Sequence, residues 1–406
     1  AYAILSPMSD IPLERPYTPE FIDDQLQDLG RWRALQRVVQ ILSVLFAIFV
    51  YRIVDGWSWT YRRGETVEDR QRRRAEWLLE RIIWLGPAFV KVGQSLGTRP
   101  DLVPLVYVDV LATLQDSLPG FPSELAFGFI EEELGWKPET LFDEFDPEPF
   151  AAASLGQVYH AVTFEGVEVA VKVQRPDLRQ VISVDLALVR RLAGFLERFP
   201  RVGRRQPWIS LVDEFGSKLF EELDYVHEGH LTERFGANIA GLPGVSAPHV
   251  LWDFTSRRVI TTEFVDGIKI TDKGRLQAAG VDIPTMLGHG VRANLMQLFE
   301  HGLFHADPHP GNLLVRPEDS TLVFIDFGMM GIIPPDQRLR ILEMFVDVIN
   351  QRPENLRDNL VELGILRSRA RWDELAPMAI DLFQVMFGAG AGPRTFQEVT
   401  NSFAPL

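Results

Sequence analysis

Cysteine is absent from the 406 residues, and that one absence removes disulfides, thiolate-held metals and cysteine nucleophiles together. A metal must then be bound through oxygen or imidazole, which suits Mg²⁺ better than a thiolate-bound Zn²⁺. Covalent chemistry must use another nucleophile. Basic charge is also scarce, with 41 Lys and Arg against 56 Asp and Glu and a net charge of -15. That balance argues against broad nucleic-acid binding, because neutralising phosphates needs a basic face, though a local basic patch stays compatible with it. No secretory signal opens the chain: AYAILSPMSD has neither a basic n-region nor an initiator Met, and an upstream segment is expected to have been removed or left out. Internal repeats and low-complexity tracts are missing too. The remainder is ordinary. Hydrophobic residues make up 46% and charged residues 24%, the balance of a folded globular chain, and the length suffices for two or three domains with a sizeable core.

Residues 1–30, with Pro7, Pro12, Pro16 and Pro19 among acidic side chains, read as an irregular arm. The run Val38–Tyr51, VVQILSVLFAIFVY, carries no charge and is bracketed by Arg37 and Arg52. As a helix it spans about 21 Å, short of the roughly 30 Å hydrocarbon core. Two readings stand: a helix lying in one leaflet, or a buried core helix. Trp57, Trp59 and Tyr61 suit an interfacial depth, and Arg62, Arg63, Arg70, Arg72, Arg73 and Arg74 suit anionic headgroups. Helical patterning follows from Glu76 to Val103, with Leu78, Leu79, Ile82 and Ile83 on one face. A short helix over 124–134 ends near Gly135, and an acidic linker, FDEFDPEPF, follows.

The texture changes at 151. AAASLGQVYHAVTFEGVEVAVKVQRP predicts a hairpin, with strands at Val158–Val162 and Val167–Val173 around a turn at Glu165–Gly166. Amphipathic helices are expected over 177–199 and 209–235, and strand texture returns at 249–264. After Gly267 the chain is mostly helical, apart from short strands at Leu313–Val315 and Leu322–Ile325.

The chemistry concentrates in HADPHPGN, His305–Asn312, and FIDFG, Phe324–Gly328. Asp307 and Asn312 stand five residues apart, as the Asp and Asn of a kinase catalytic loop do, and Asp326 follows 14 residues later in an Asp-Phe-Gly triplet. Phosphoryl transfer needs metal ions bridging the phosphates and a carboxylate near the transferred group. Asn312 and Asp326 offer the hard oxygen ligands Mg²⁺ prefers. Upstream, VAVK places Lys172 on a strand, where a kinase keeps its phosphate-contacting lysine. Its carboxylate partner is expected to be Glu222, in FEELDYVHEGH. The phosphate-covering loop departs from protein kinases: Ala151, Ala152 and Ala153 replace glycines and only Gly156 remains, which stiffens the loop and points to altered substrate access.

In these motifs the chain resembles the UbiB (aarF-domain) atypical kinases, most closely their plastid and cyanobacterial members. AAASLGQVY, VAVKVQRP, ELDYVHE, HADPHPGN and DFGMMG match in order, and FVKVGQSLGTRPDLVP contains the KxGQ signature as Lys91, Val92, Gly93 and Gln94. The resemblance runs from about residue 75 to about residue 350. It implies an α+β, two-lobed protein-kinase-like fold with an N-terminal helical extension over the active site that blocks a peptide cleft. ATP and Mg²⁺ are the implied cofactors. Asp307, Lys172, Glu222, Lys91, Gln94 and Asp224 are the implied catalytic residues. Ala151, Ala152, Ala153, Ser154, Gly156, Gln157, Val158, Ala170, Lys172, Glu263 and Val265 would line the nucleotide, with Asn312 and Asp326 on the metal.

Four segments are expected: an arm with a membrane-associated helix (1–75), a KxGQ extension (76–146), a kinase-like N-lobe with an inserted helix (147–266) and a helical C-lobe (267–406). With about 80 residues after the Asp-Phe-Gly triplet, that C-lobe is expected to be shortened or truncated. The leading functional expectation is ATP hydrolysis or small-molecule phosphorylation at a membrane surface, supporting prenyl-quinone or isoprenoid-lipid metabolism. The expected partners are ATP, a membrane lipid or quinone-related small molecule, and a larger membrane complex, with no nucleic acid. A chloroplast site, at the thylakoid or plastoglobule surface, is expected first, with the mitochondrial inner membrane or a bacterial cytoplasmic membrane as alternatives. The competing readings are an aminoglycoside- or choline-type small-molecule kinase, against which KxGQ speaks, and an ATP-gated scaffold subunit.

Overall fold

The computed structural model describes residues 16–57, 65–99, 102–115, 120–152, 154–199, 207–306, 310–349, 353–362 and 372. The chain divides into two compact units, one made of Ala1–Arg234, Ala247–Asp266 and Ile325–Gly328, the other of Phe235–Ser246, Gly267–Phe324 and Met329–Leu406.

The first unit opens with α1 (Pro19–Asp28), whose start is capped by the Thr18 hydroxyl accepting from the Phe21 N–H. Next comes α2 (Arg31–Val54), 24 residues long. At α3 (Val67–Leu85), Thr66 and Asp69 cap one another's backbone reciprocally. Gly86, at φ +98, ends α3 and lets the chain re-enter a helix at α4 (Pro87–Gly97). The short helices α5 (Leu105–Ala112), α6 (Ser123–Leu134) and α7 (Pro138–Leu141) follow, α6 closing on a left-handed Gly135.

An antiparallel sheet then forms from β1 (Glu144–Phe145), β2 (Ala151–Ala152), β3 (Gly156–Val162), β4 (Glu168–Gln174) and β6 (Val259–Glu263), in the order β1-β3-β4-β6 with β2 also on β3. The predicted hairpin is β3–β4, within two residues at each end. Alternation sorts its side chains: Tyr159, Ala161, Val169, Val171 and Val173 join Ala126, Ile130 and Phe142 in one core cluster, so Val158, Ala170 and Lys172 face the other way. The strands place Val158 opposite Lys172, and Lys172 opposite Ile260.

Beyond the hairpin lie α8 (Leu178–Glu197), α9 (Trp208–Glu222) and α10 (Tyr225–Ile239). The single helix expected over 209–235 is therefore two. The break is chemical: the Asp224 carboxylate accepts from the N–H groups of Val226 and His227 at 3.2 and 3.3 Å, starting a new helix. A second core cluster joins Ile22 and Leu26 of α1 to Ile182 and Leu186 of α8 and to Leu219 and Phe220 of α9. The buried-core reading of the apolar run is corrected as well. By length and composition α2 could cross a membrane, yet only 11% of its most apolar stretch is buried.

The second unit holds a sheet ordered β5-β10-β9-β7, from β5 (Val245–Ser246), β7 (Ile268–Lys269), β9 (Leu313–Arg316) and β10 (Thr321–Phe324), and a pair β8 (Leu303–His305) and β11 (Met330–Ile332). The two strands expected around the catalytic motifs are β9 and β10, antiparallel, with Leu313 opposite Phe324. Around them are α11 (Lys273–Ala278), α12 (Ile283–Met296), α13 (Pro335–Ile349) and α14 (Pro353–Glu362).

Candidate active site

Lys172 projects from β4 on the face away from the core. Its ammonium donates to both carboxylate oxygens of Glu228, in the first turn of α10, at 2.7 and 3.0 Å. Asp326 Oδ2 lies 3.8 Å away, and the Tyr225 ring lies beneath, 5.0 Å from centroid to nitrogen. Burial alone disfavours the ammonium, but the charges of Asp326 and Glu228 outweigh it and hold Lys172 well above the ordinary lysine range. The partner expected from the sequence, Glu222, is not the one the fold supplies. Glu222 ends α9 and pairs instead with Lys91 of α4, Nζ to Oε2 2.5 Å. Burial pushes the Glu222 carboxyl above the usual range, with Lys91 opposing.

The KxGQ residues have separate physical reasons. Lys91 neutralises Glu222. Gly93 is small because a Cβ there would stand 2.6 Å from Leu114 Cδ1 and 3.1 Å from Ile82 Cδ1, so α4 reaches its neighbours only without a side chain. Gln94 donates to the Leu114 carbonyl at 2.9 Å, fastening the 3₁₀ turn Thr113–Gln115 to α4. The amide is thus engaged by backbone rather than held free for a nucleotide. Asp224, expected to be catalytic, caps α10 and accepts from Arg257 at 3.2 Å; it fixes the helix that carries Glu228.

In the Ala-rich loop, Ala151 and Ala152 form β2 against Val158 and Gln157, while Ala153 lies outside the described residues. Ser154 is buried, and Leu155 anchors the loop in the cluster with α8 and α9. Gly156 answers to crowding: a Cβ would sit 2.4 Å from the Val173 carbonyl oxygen and 2.8 Å from the Tyr225 hydroxyl. Gln157, expected against the nucleotide, is fully buried; its amide accepts from Phe121 N–H and donates to Phe121 C=O, each at 3.1 Å, and meets Tyr159 Oη. It ties the loop to the segment before α6. At the far end, Glu263 N–H donates to His249 C=O at 2.9 Å and Phe264 N–H to Glu168 C=O at 3.0 Å, leaving Val265 in the segment just after β6.

A family model described as the ABC1 atypical kinase-like domain matches residues 113–360, well over half of the chain. This chain belongs to the ABC1 atypical kinase-like family. It is 40% identical to an uncharacterized protein of Synechocystis over 99% of this chain and 58% of that protein. It is also 40% identical to Activity of BC1 complex kinase 8, a chloroplastic protein of Arabidopsis thaliana, over 83% of this chain and 46% of that one. The chain thus spans about half the length of these relatives. A solved Mycobacterium tuberculosis protein in complex with erythromycin superposes with TM-score 0.54 at 23% identity, covering 76% of this chain and 78% of that one, a likeness of fold. The plastid and cyanobacterial resemblance and the kinase-like fold both hold.

In this ABC1-family chain the cluster carries two ammonium groups, Lys91 and Lys172, and three carboxylates, Glu222, Glu228 and Asp326. Both glutamates are buried and paired, whereas the Asp326 side chain is 40% exposed. An accessible carboxylate is a hard oxygen donor of the kind a divalent cation takes. Asp326 Oδ1 also accepts from Gly328 N–H at 3.0 Å, which fixes its rotamer. The Tyr225 hydroxyl is buried with no hydrogen-bond partner among the described residues, beside Gly156 and Lys172, as fits a donor reserved for a phosphate oxygen. In the second unit, Asn312 closes the 3₁₀ turn Pro310–Asn312 just before β9; Asp307 lies outside the described residues. Sequence reasoning missed Glu228 and Tyr225. Both sit in ELDYVHEGH, where several acidic residues compete and only the helix break decides which one reaches Lys172.

Proposed function

We propose that this chain is the nucleotide-binding part of an Mg²⁺- and ATP-dependent atypical kinase or ATPase, working at a membrane surface in prenyl-quinone or isoprenoid-lipid metabolism. The observation that carries the reading is the Lys172–Glu228 pair with Asp326 at 3.8 Å on the same sheet face. When bound, Mg²⁺ would neutralise charge on the phosphates and order them for attack. Lys172, aimed by Glu228, would contact the α- and β-phosphates; Asp326 and Asn312 would take the metal; Asp307 would hold the proton of the attacking group. Val158 and Ala170 offer an apolar surface to the base, with Glu263 and Val265 at the strand edge. Lys91, occupied by Glu222, anchors the KxGQ helix, which by the family resemblance would cover a peptide cleft and so favour water or a small alcohol as acceptor. The chloroplastic relatives support a plastid location, and the exposed apolar α2 supports the membrane surface.

The deciding measurement is ATP turnover with and without Mg²⁺, and with lipid vesicles and quinone-like phenols added. Saturable Mg²⁺-dependent turnover that Asp326→Asn abolishes is expected. Nucleotide binding that ignores both the metal and this substitution would sink the reading.

A further inference from the structure

Helix α2 carries two stripes with different fates. Arg37, Ile41, Val44 and Tyr51 face the protein: Arg37 donates to both oxygens of the buried Asp185 on α8 at 2.6 and 2.7 Å, Ile41 and Val44 pack with Leu85 and Leu188, and Tyr51 meets Trp77 of α3 edge-on at 4.9 Å. On the other side, Leu35, Val39, Leu42, Phe46, Phe49 and Ile53 recur every three or four residues and are 43–67% exposed. A continuous bare stripe of that kind seeks an apolar medium.

Length and composition alone would let α2 cross a bilayer, but its packed stripe forbids it. Crossing would carry Arg37–Asp185 and the flanking charges of α3, among them Arg70, Arg74 and Glu80, to hydrocarbon depth. A helix with one side fixed to a polar body and the other bare fits the plane of a leaflet.

At the C-terminal end of α2 lies a cleft of about 420 Å³, its floor formed by Tyr51, Trp77 and Tyr107 and its charged wall by Arg52, Arg70, Arg74 and Asp55. Arg70 and Arg74 share the single Asp55 carboxylate, at 3.2 and 3.0 Å, and Arg74 is stacked over Tyr51 at 3.6 Å. Glu65, outside the cleft, is divided between Arg70 and Arg73. Counting Glu65 and Arg73 with the charges of the wall, four guanidiniums stand against two carboxylates, an excess of positive charge in a chain whose net charge is -15. Excess guanidinium over an aromatic floor suits a phosphate or sulfate ester.

We infer that α2 lies flat in one leaflet, its bare stripe among the acyl chains, and that the cleft at its end receives the headgroup of an anionic lipid. The inference rests on the membrane-surface part of the reading above and not on its ATP chemistry.

The test uses the full chain without nucleotide, floated with vesicles of phosphatidylcholine alone or mixed with phosphatidylglycerol. Binding should require phosphatidylglycerol and weaken in high salt. Phe46 and Arg52 are both exposed, so substitutions there leave the fold intact, as a thermal melt verifies. Phe46→Glu should abolish binding, and Arg52→Gln should weaken it about fivefold, the effect of one surface arginine near anionic lipid. Equal binding to both vesicle types, or an unchanged Arg52→Gln, overturns the headgroup site. Displacement by dissolved glycerol 3-phosphate would make the ligand a soluble anion instead. A dimer that Phe46→Glu splits, with no vesicle binding by the unmodified chain, would give the stripe to a second copy.

Discussion

Two regions of the first unit break the usual sorting of residues in opposite senses. Around Lys172 the protein buries charge: Glu222 and Glu228 are 6% and 5% exposed, and each is kept there by one lysine. Along α2 it exposes hydrocarbon, with Phe46 at 67%. Buried charge is tolerated only when paired, and exposed hydrocarbon only singly. Each departure is where the readings proposed above place something outside the chain, a cation and phosphates in one case and a lipid surface in the other.

The sharpest way to break the first half of that comparison is Glu228→Gln. It strands the Lys172 ammonium beside a neutral amide, and denaturant unfolding should show a loss of about 3–5 kcal/mol, together with loss of ATP binding. The α2 contrast comes next: Ile41→Ala should cost about 2–5 kcal/mol, as a buried residue of its packed stripe, whereas Phe46→Ala on the bare stripe should stay within about 0.5 kcal/mol. Equal costs would mean that the two stripes are not different surfaces.

Gly93→Ala drives a methyl into Leu114 and Ile82, and overpacking of that kind costs about 1–3 kcal/mol, read as a lowered melting temperature. The pH dependence follows from burial, which raises the carboxyls of both Glu222 and Glu228 above the ordinary value of 4.5. Their ionised, lysine-paired forms are lost as pH falls through those raised values, so the acid limb of ATP turnover should appear already above pH 4.5. Lys172, shifted upward, adds no alkaline limb below the ordinary lysine value of 10.5. Smallest is Tyr225→Phe. Removing a buried hydroxyl with no partner among the described residues should leave the free protein unchanged or more stable by about 1 kcal/mol, while nucleotide affinity falls if that hydroxyl meets a phosphate.

Much of this is legible in the residues alone. The hairpin alternates with period two, so Lys172 had to face away from Val171 and Val173, and β9 and β10 stood out as short apolar runs on either side of a turn. The pairing of charges was not legible. FEELDYVHEGH offers Glu221, Glu222, Asp224 and Glu228 within eight residues, and a continuous helix pointed to Glu222. Once Asp224 caps a second helix, Glu222 turns to Lys91 and Glu228 to Lys172. Gln157 misled for a related reason. Its place in the loop motif suggested nucleotide contact, whereas its bond to Phe121 is non-local.

The sequence by itself determined the chemistry: oxygen ligands without thiolates, a lysine on a strand, an apolar helix with arginines at its end. Those features are local, set by residue type and by periods of two and three to four. Only the tertiary structure decided which carboxylate answers which lysine and which stripe of α2 stays bare, because those outcomes depend on contacts between segments far apart in the chain, as Arg37 and Asp185 are.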